Sequence, residues 1–343
     1  MKLNDIKIIP YKTFFKTPLQ TSKRIYRYRS GFIIKISANG INGFGEAAPL
    51  IGFNAETEKE CFSSLTSVAT TIRGFDVNPD LLDLTRELLK DIPSACFAME
   101  TAILDVLSKM QKTALAFYIN KNSYSSVKVN MLYHEGFELQ NGINIIKLKI
   151  GSNTLSQDID LVNNVATNLG PNVKLRLDVN GAWSLNTALK ACELLSSHNI
   201  DYLEQPLSQD KIHQLSELRK NTAIPIAVDE SLTNIKSAKN VIDANAADVF
   251  VIKPMVTGGF KNTKEIIKLA KDNRIRTVIT SIMESYIGRM ALLHLSCAYQ
   301  ITEACGLTTG SLFDDEQHDI PYQENGRMCI GNTPGLGVDY CEE

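Results

Sequence analysis

The sequence predicts an α/β fold whose larger part is a parallel barrel of seven or eight strands, and three observations carry that expectation. From about residue 127 onward, short apolar β-branched runs recur, each followed by turn residues and a helical stretch. Right-handed crossovers at this period close most naturally into a barrel. Successive runs also end on charged residues at nearly constant spacing.

Residues 1 to about 60 read as strands and loops. Lys2 to Pro10 and Gly31 to Ala38 are β-prone, and Asn39-Gly40 marks a hairpin before Phe44-Gly45-Glu46. The polar stretch 15–30 carries Lys16, Lys23, Arg24, Arg27 and Arg29. It reads either as a solvated basic loop or as a mobile loop that meets an anionic substrate. Residues 55–121 are mostly helical. The clearest helix begins at Pro93-Ser94-Ala95 and repeats Phe97, Ala98, Thr101, Ala102, Leu104, Asp105 and Leu107 at a helical period. The barrel runs are 127–132, 145–150, 173–179, 202–203, 224–228, 248–252 and 277–279, with a weaker eighth at 303–307. The irregular stretch 310–343, rich in Gly, Pro and acids, is expected to return to the N-terminal part.

Composition narrows the class. The 343 residues hold 36 Lys plus Arg against 38 Asp plus Glu, a net charge of −2, with 44% hydrophobic residues. That balance excludes disorder as the main state and leaves no footprint for nucleic acid or an anionic membrane. Seven scattered cysteines without a CxxC pair, no apolar segment after the N-terminal charge and no long apolar run lead us to expect reduced thiols and a cytoplasmic protein. The surfaces of the helices offer no seam from which to read an oligomeric state.

The charges that close the strands are Lys149, Asp178, Glu204, Asp229 and Lys253, separated by 29, 26, 25 and 24 residues. Each step is about one βα unit, so barrel geometry places all five on the C-terminal rim, where such barrels hold their sites. A single charge at a strand end is ordinarily solvated. Five in phase, converging on one mouth, would be costly without a purpose. Three converging carboxylates suit a hard cation, so Asp178, Glu204 and Asp229 are expected to hold Mg2+, with Mn2+ as a substitute. The five histidines are scattered and read as surface or packing residues.

Lys147 and Lys149 lie two apart on one strand and face the same side. Lys253 comes from a strand four units further round. Lysines near a divalent cation have their ammonium form disfavoured and become usable bases. The pair suits removal of a proton α to a carboxylate, with the cation stabilising the resulting charge. Lys147 either takes part or only packs and tunes the field. Asn180 either hydrogen-bonds a ligand or substrate or merely forms the turn before Gly181. Glu230 is expected to face away from Asp229 and to support a lysine.

Lys147-Leu148-Lys149, Asp178-Val179-Asn180, Tyr202-Leu203-Glu204-Gln205-Pro206, Val228-Asp229-Glu230-Ser231 and Ile252-Lys253-Pro254 together resemble the enolase superfamily, in its muconate-lactonizing-like branch. Such sites pair a Lys or His base with Mg2+. Gly43-Phe44-Gly45-Glu46-Ala47-Ala48-Pro49 and the helix from Pro93 look like the family's capping domain. The resemblance implies a TIM-like (β/α)7β barrel with an α+β capping domain built from the N-terminal part and the C-terminal tail. It divides the chain into a cap over 1–122, a modified barrel over 123–309 and a returning segment over 310–343.

Within that branch, the stretches Thr280-Ser281-Ile282-Met283-Glu284-Ser285 and 305–313 resemble the o-succinylbenzoate synthase family. The resemblance implies a dicarboxylate substrate, Lys149 as the base and proton donor, and Lys253 as a charged stabiliser opposite. Ser281 joins Lys147, Asn180 and Glu230 as a residue that binds substrate or supports those that do. Dipeptide epimerization ranks second, because that family carries an Asp-x-Asp pair where this chain has Gly306-Leu307-Thr308-Thr309-Gly310. A buried ammonium group there would lack a counterion. N-acylamino-acid racemization stays open, and muconate cycloisomerization ranks third. From other classes, a Schiff-base aldolase would not need three converging carboxylates, and a catalytically idle barrel that only binds would show no metal-dependent turnover. The lid is expected from 16–29 and 49–56.

Overall fold

The computed structural model describes residues 1–20, 25–53, 55–134, 136–314 and 323–340. Lys23, Arg24 and Asn54 of the expected lid lie outside the described residues, as do parts of the tail. Alternating apolar residues build the first sheet. β1 (Leu3–Gln20) pairs antiparallel with β2 (Ile25–Ala38), aligning Ile6 with Ile36 and Ile8 with Ile34, and β3 (Ile41–Ala47) pairs with β2. Asn39 and Gly40 take φ of 48° and 83°, the twist a two-residue hairpin requires. The polar stretch 15–30, read from sequence as a loop, is strand over 15–20 and 25–30 instead. Pairing continues through Thr13 with Arg29 and Phe14 with Tyr28, because a ladder of backbone hydrogen bonds does not need an apolar face. Lys12 covers the Tyr28 ring at 3.8 Å.

Four helices complete this region: α1 (Glu58–Ile72), α2 (Pro79–Leu88), α3 (Pro93–Met110) and α4 (Leu115–Ile119). Thr57 and Glu60 close a reciprocal cap on α1. Pro93 starts α3, whose residues from Ser94 to Ser108 are all buried, so its polar positions face neighbours rather than water. β3 lies directly on α3. A Cβ at Gly43 would fall 2.3 Å from the Ala102 carbonyl and one at Gly45 1.9 Å from that of Ala98, so only glycine permits this approach.

The barrel strands are β5 (Met131–Leu132), β6 (Ile145–Lys149), β7 (Lys174–Asp178), β8 (Ile200–Glu204), β9 (Ile226–Val228), β10 (Val249–Ile252) and β11 (Arg276–Ile279), hydrogen-bonded in that order and parallel throughout. The helices between and after them are α5 (Leu155–Leu169), α6 (Leu185–Leu195), α7 (Ile212–Lys220), α8 (Ile235–Asp243), α9 (Pro254–Thr257), α10 (Phe260–Asp272) and α11 (Tyr286–Ala298). The run 127–132 is broken in two. Its first part, β4 (Ser126–Lys128), pairs antiparallel with β13 (Arg327–Cys329), which forms a small hairpin with β12 (Gln323–Glu324).

The expected eighth strand at 303–307 shrinks to bridges, Val129 with Cys305 and Thr280 with Gly306. Cys305 N donates to Lys128 O at 2.8 Å and Gly306 N to Ile279 O at 2.9 Å, closing the ring. Gly306 is needed because a Cβ would meet Thr280 Oγ1 at 2.4 Å. The tail runs back to the first region. Leu336 N donates to Asp105 Oδ1 at 2.7 Å, and Phe313 stacks on Phe15 with ring centres 4.9 Å apart. Among the described residues no helix is long and apolar enough to cross a membrane.

Candidate active site

Strand register gathers the charges. Lys149, Asp178 and Glu204 are direct neighbours across β6, β7 and β8, and Glu204 pairs with Ala227, two residues before Asp229. One layer deeper, Lys147 lies beside Arg176 and Arg176 beside Tyr202. Alternation turns Lys147 and Lys149 inward while Ile146 and Leu148 are buried. Lys253 follows β10 directly. These groups open into a cleft of about 1120 Å³, counted to its open mouth, whose charged lining is Lys147, Lys149, Asp178, Asp229, Glu230 and Lys253. Glu204 lies just beneath, fully buried.

The lysines do not share one environment. Lys147 Nζ sits 2.9 Å from Asp178 Oδ2 and 2.8 Å from Glu204 Oε1. Lys253 is ion-paired with Asp229 Oδ1 and has the Phe53 ring 4.7 Å away. Lys149 Nζ instead donates to the neutral Asn180 Oδ1 at 3.2 Å. Asn180 in turn donates through Nδ2 to Glu230 Oε1 at 3.2 Å.

Burial and crowding set the titrations. Burial alone would lower the Lys147 ammonium, but the carboxylates of Asp178, Glu204 and Asp229 outweigh it and hold it well above the ordinary lysine value. Asp178 is likewise pushed up by burial, yet Lys147 and Lys149 leave it below the usual carboxylate range. Glu204 has the weaker compensation. Burial, reinforced by the charge of Asp178, pushes it up to about 8. Burial and the Asp229 charge push Glu230 up to about 7. Anions held so closely in a dry place call for more positive charge.

By donor chemistry, oxygen-only carboxylates suit a hard cation. The set consists of three carboxylates, and Glu204 Oε2 is buried with no hydrogen-bond partner. Among the described residues, no three acidic, His or Cys side chains are gathered closely enough to hold an ion as placed. The Lys147 ammonium occupies the space between Asp178 and Glu204.

Several expectations are corrected here. Glu230 does not face away from Asp229 but lines the same cleft, because β9 ends at Val228 and strand alternation no longer applies beyond it. The basic residues of 15–30 do not form the cleft wall among the described residues. Lys16 and Arg27 point to solvent. Arg29 is buried and donates to the carbonyls of Ala48, of Pro49 at 3.2 Å and of Ile282 at 3.3 Å. The wall over the charges is apolar instead, with Tyr26, Leu50, Ile51, Phe53 and Leu312. Ser281 does line the cleft; its hydroxyl donates to Glu284 Oε2 and accepts from Thr309 Oγ1 at 2.9 Å. Burial pushes the Glu284 carboxyl up to about 7, against the hydrogen bond from Ser281 that lowers it. Of the described histidines, His294 is buried and accepts from Ala116 N at 3.1 Å, a packing role. Asn130 reaches the cleft and also binds Arg176, Nη1 to Oδ1 at 3.2 Å. A polar residue in the middle of the β-prone run 127–132, alternating with Lys128, was the available signal for it.

Comparison with known proteins places these features in a family. Residues 135–343 match the family model described as Enolase C-terminal domain-like, and residues 4–106 match that described as MenC, N-terminal domain. The chain is similar to a D-Ala-D/L-Ala epimerase of Cytophaga hutchinsonii, at 25% identity over 99% of this chain and 96% of the relative. It is also similar to an o-succinylbenzoate synthase of Desulfotalea psychrophila, at 26% identity over 87% and 91%. A dipeptide epimerase from Enterococcus faecalis, solved with Mg and the dipeptide L-Leu-L-Tyr, superposes with a TM-score of 0.89 at 21% identity, covering 99% of this chain and 100% of that one. At that identity the likeness speaks for the fold.

Proposed function

The chain belongs to the enolase superfamily, and from that premise we propose that it is an o-succinylbenzoate synthase. Its reaction would be the syn-dehydration of 2-succinyl-6-hydroxy-2,4-cyclohexadiene-1-carboxylate to 2-succinylbenzoate, a step of menaquinone biosynthesis. The observation that carries this reading is the distribution of charge in the cleft. All acids in the lining, Asp178, Asp229 and Glu230, sit among the lysines, while Gly306, Thr308, Thr309 and Leu312 bring no charge to the side they line. A substrate with an ammonium group would find no counterion there among the described residues, which disfavours a dipeptide. The matched N-terminal domain and the synthase relative support the same choice. We also propose the division into a cap over 1–122, a barrel over 123–309 and a returning segment over 310–343.

Asp178, Glu204 and Asp229 would hold Mg2+ or Mn2+. When bound, the cation supplies Lewis-acid stabilisation of charge developing on the substrate carboxylate. Lys149, hydrogen-bonded to Asn180 and free of an ion pair among the described residues, takes the proton α to that carboxylate. The resulting ammonium then protonates the departing hydroxide on the same face. The C–O bond breaks, water leaves and the ring becomes aromatic. Lys253, held by Asp229, keeps its charge on the other face and attracts the anionic ring. Lys147 neutralises Asp178 and Glu204, Asn180 orients Lys149, and Tyr26, Leu50, Ile51 and Phe53 shed water from the closed site.

The test is absorbance-monitored dehydration of the cyclohexadiene carboxylate with and without Mg2+, beside dipeptides and N-succinylamino acids. Fast, metal-dependent aromatization is expected. Absent dehydration, with rapid α-proton exchange of N-succinylamino acids in heavy water, would contradict the assignment and move the protein to racemization. No turnover on any of them, with or without metal, would favour a barrel that only binds.

A further inference from the structure

Gln205 follows Glu204 directly, is fully buried, and takes φ of 38°. A non-glycine residue in the left-handed region persists only where its surroundings over-determine it, and every polar group of Gln205 is engaged. Its backbone N donates to Ala227 O at 2.8 Å, towards β9, and its carbonyl accepts from Gly181 N at 2.7 Å, in the turn after β7. The side chain reaches past the end of β9. Oε1 accepts from Asp229 N at 3.0 Å and from Ser231 N at 3.1 Å. Nε2 donates to Leu207 O at 2.8 Å and to Ser231 Oγ at 2.9 Å.

These contacts join the three places from which the carboxylates come. Val179 N donates to Glu204 O at 3.1 Å, so the residue after Asp178 is tied to the residue before Gln205. β9 stops at Val228, which leaves the Asp229 amide beyond the strand ladder. The Gln205 carboxamide is its acceptor, and it receives both Asp229 N and Ser231 N on one oxygen. We propose that Gln205 is a positioning residue that sets the separation of Glu204 and Asp229, and so the affinity and symmetry of the cation site these carboxylates form with Asp178. The inference rests on the reading of the three carboxylates as ligands. It assigns Gln205 no contact with substrate or cation.

Mn2+ binding to the full chain, read by electron paramagnetic resonance of free and bound ion, tests this in the native protein, Gln205→Met, Gln205→Glu and Leu195→Ala. Leu195 is buried in the outer helix α6, so its truncation lowers the melting temperature without touching the rim. Gln205→Met keeps the chain length and leaves the Asp229 and Ser231 amides without an acceptor. Loss of an outer hydrogen bond of this kind typically weakens metal binding about 10- to 100-fold, and that loss is expected here, with a broadened bound-ion spectrum. Gln205→Glu keeps both accepted bonds and loses both donated ones, so a weakening between the native protein and Gln205→Met is expected. Should Gln205→Met fail to fold, that variant decides. Leu195→Ala should bind Mn2+ like the native protein despite its lower melting temperature. Native-like affinity and spectrum in both Gln205 variants would overturn the inference, as would equal weakening in Leu195→Ala. Absence of stoichiometric Mn2+ binding in the native protein would defeat the carboxylate reading itself, and this inference with it.

Discussion

Lys149 and Lys253 enter one cleft from β6 and the end of β10, strands four positions apart in the barrel, and their neighbours differ in charge. Lys253 is nearly buried, ion-paired with Asp229 and covered by the Phe53 ring. Lys149 hydrogen-bonds the uncharged Asn180 and, although Asp178 is its neighbour across the sheet, makes no ion pair among the described residues. Lys253 is fixed against its carboxylate, whereas the Lys149 nitrogen stands open to a substrate. The difference teaches that two identical side chains on one rim are suited to different work, and it underlies the proposed roles of base and stabiliser.

Removing the base should have the largest effect. Lys149→Ala is expected to lower turnover by roughly 10³-fold or more while leaving Mn2+ affinity and melting temperature near native. A residual rate within tenfold would place the base elsewhere and erase the contrast between the walls. Asp229→Asn acts on the other wall, removing a proposed ligand and the partner of Lys253 together. It should weaken Mg2+ binding by more than about 100-fold, beyond what an outer-sphere change costs; isothermal titration giving native affinity would remove Asp229 from the ligand set.

A smaller effect is expected at the lid. Phe53→Leu keeps an apolar cover but removes the ring from Lys253, a contact worth about 0.5–2 kcal/mol, so kcat/KM should fall about 2- to 30-fold. An equal fall in a Lys253→Met background would show that the ring does not act through that lysine.

The smallest effect concerns a carboxyl buried behind Ser281 in the cleft wall. Glu284 is raised to about 7 by burial, so its neutral form suits the folded state. The stability it contributes is complete below its ordinary value near 4.5 and is lost as pH rises through about 7. Between pH 5 and 8 the melting temperature of the native protein should therefore fall relative to Glu284→Gln, by an amount on the order of a few degrees. Parallel curves would mean that Glu284 ionises in place.

The rim was legible in the sequence because strand period and βα spacing are both set by backbone geometry. Lys149, Asp178 and Glu204 fall in register for that reason. Glu230 was misread, since it lies two residues beyond the end of β9, where alternation no longer holds. The strands over 15–20 and 25–30 were hidden because their pairing is made by main-chain groups and leaves no clean alternation of apolar side chains. Arg29 gave no local sign of its partners, which are carbonyls up to 253 positions away in the chain. The unequal surroundings of the two lysines are tertiary facts of the same kind: Phe53 and Asp229 meet at Lys253 only after cap and barrel have come together.

The most direct test of that inequality is to measure dehydration by Lys149→Arg and Lys253→Arg side by side at saturating Mg2+. Arginine keeps the charge but does not act as a base at neutral pH. The account predicts measurable turnover in Lys253→Arg and none in Lys149→Arg. Turnover surviving in Lys149→Arg, or lost in Lys253→Arg alone, would contradict it.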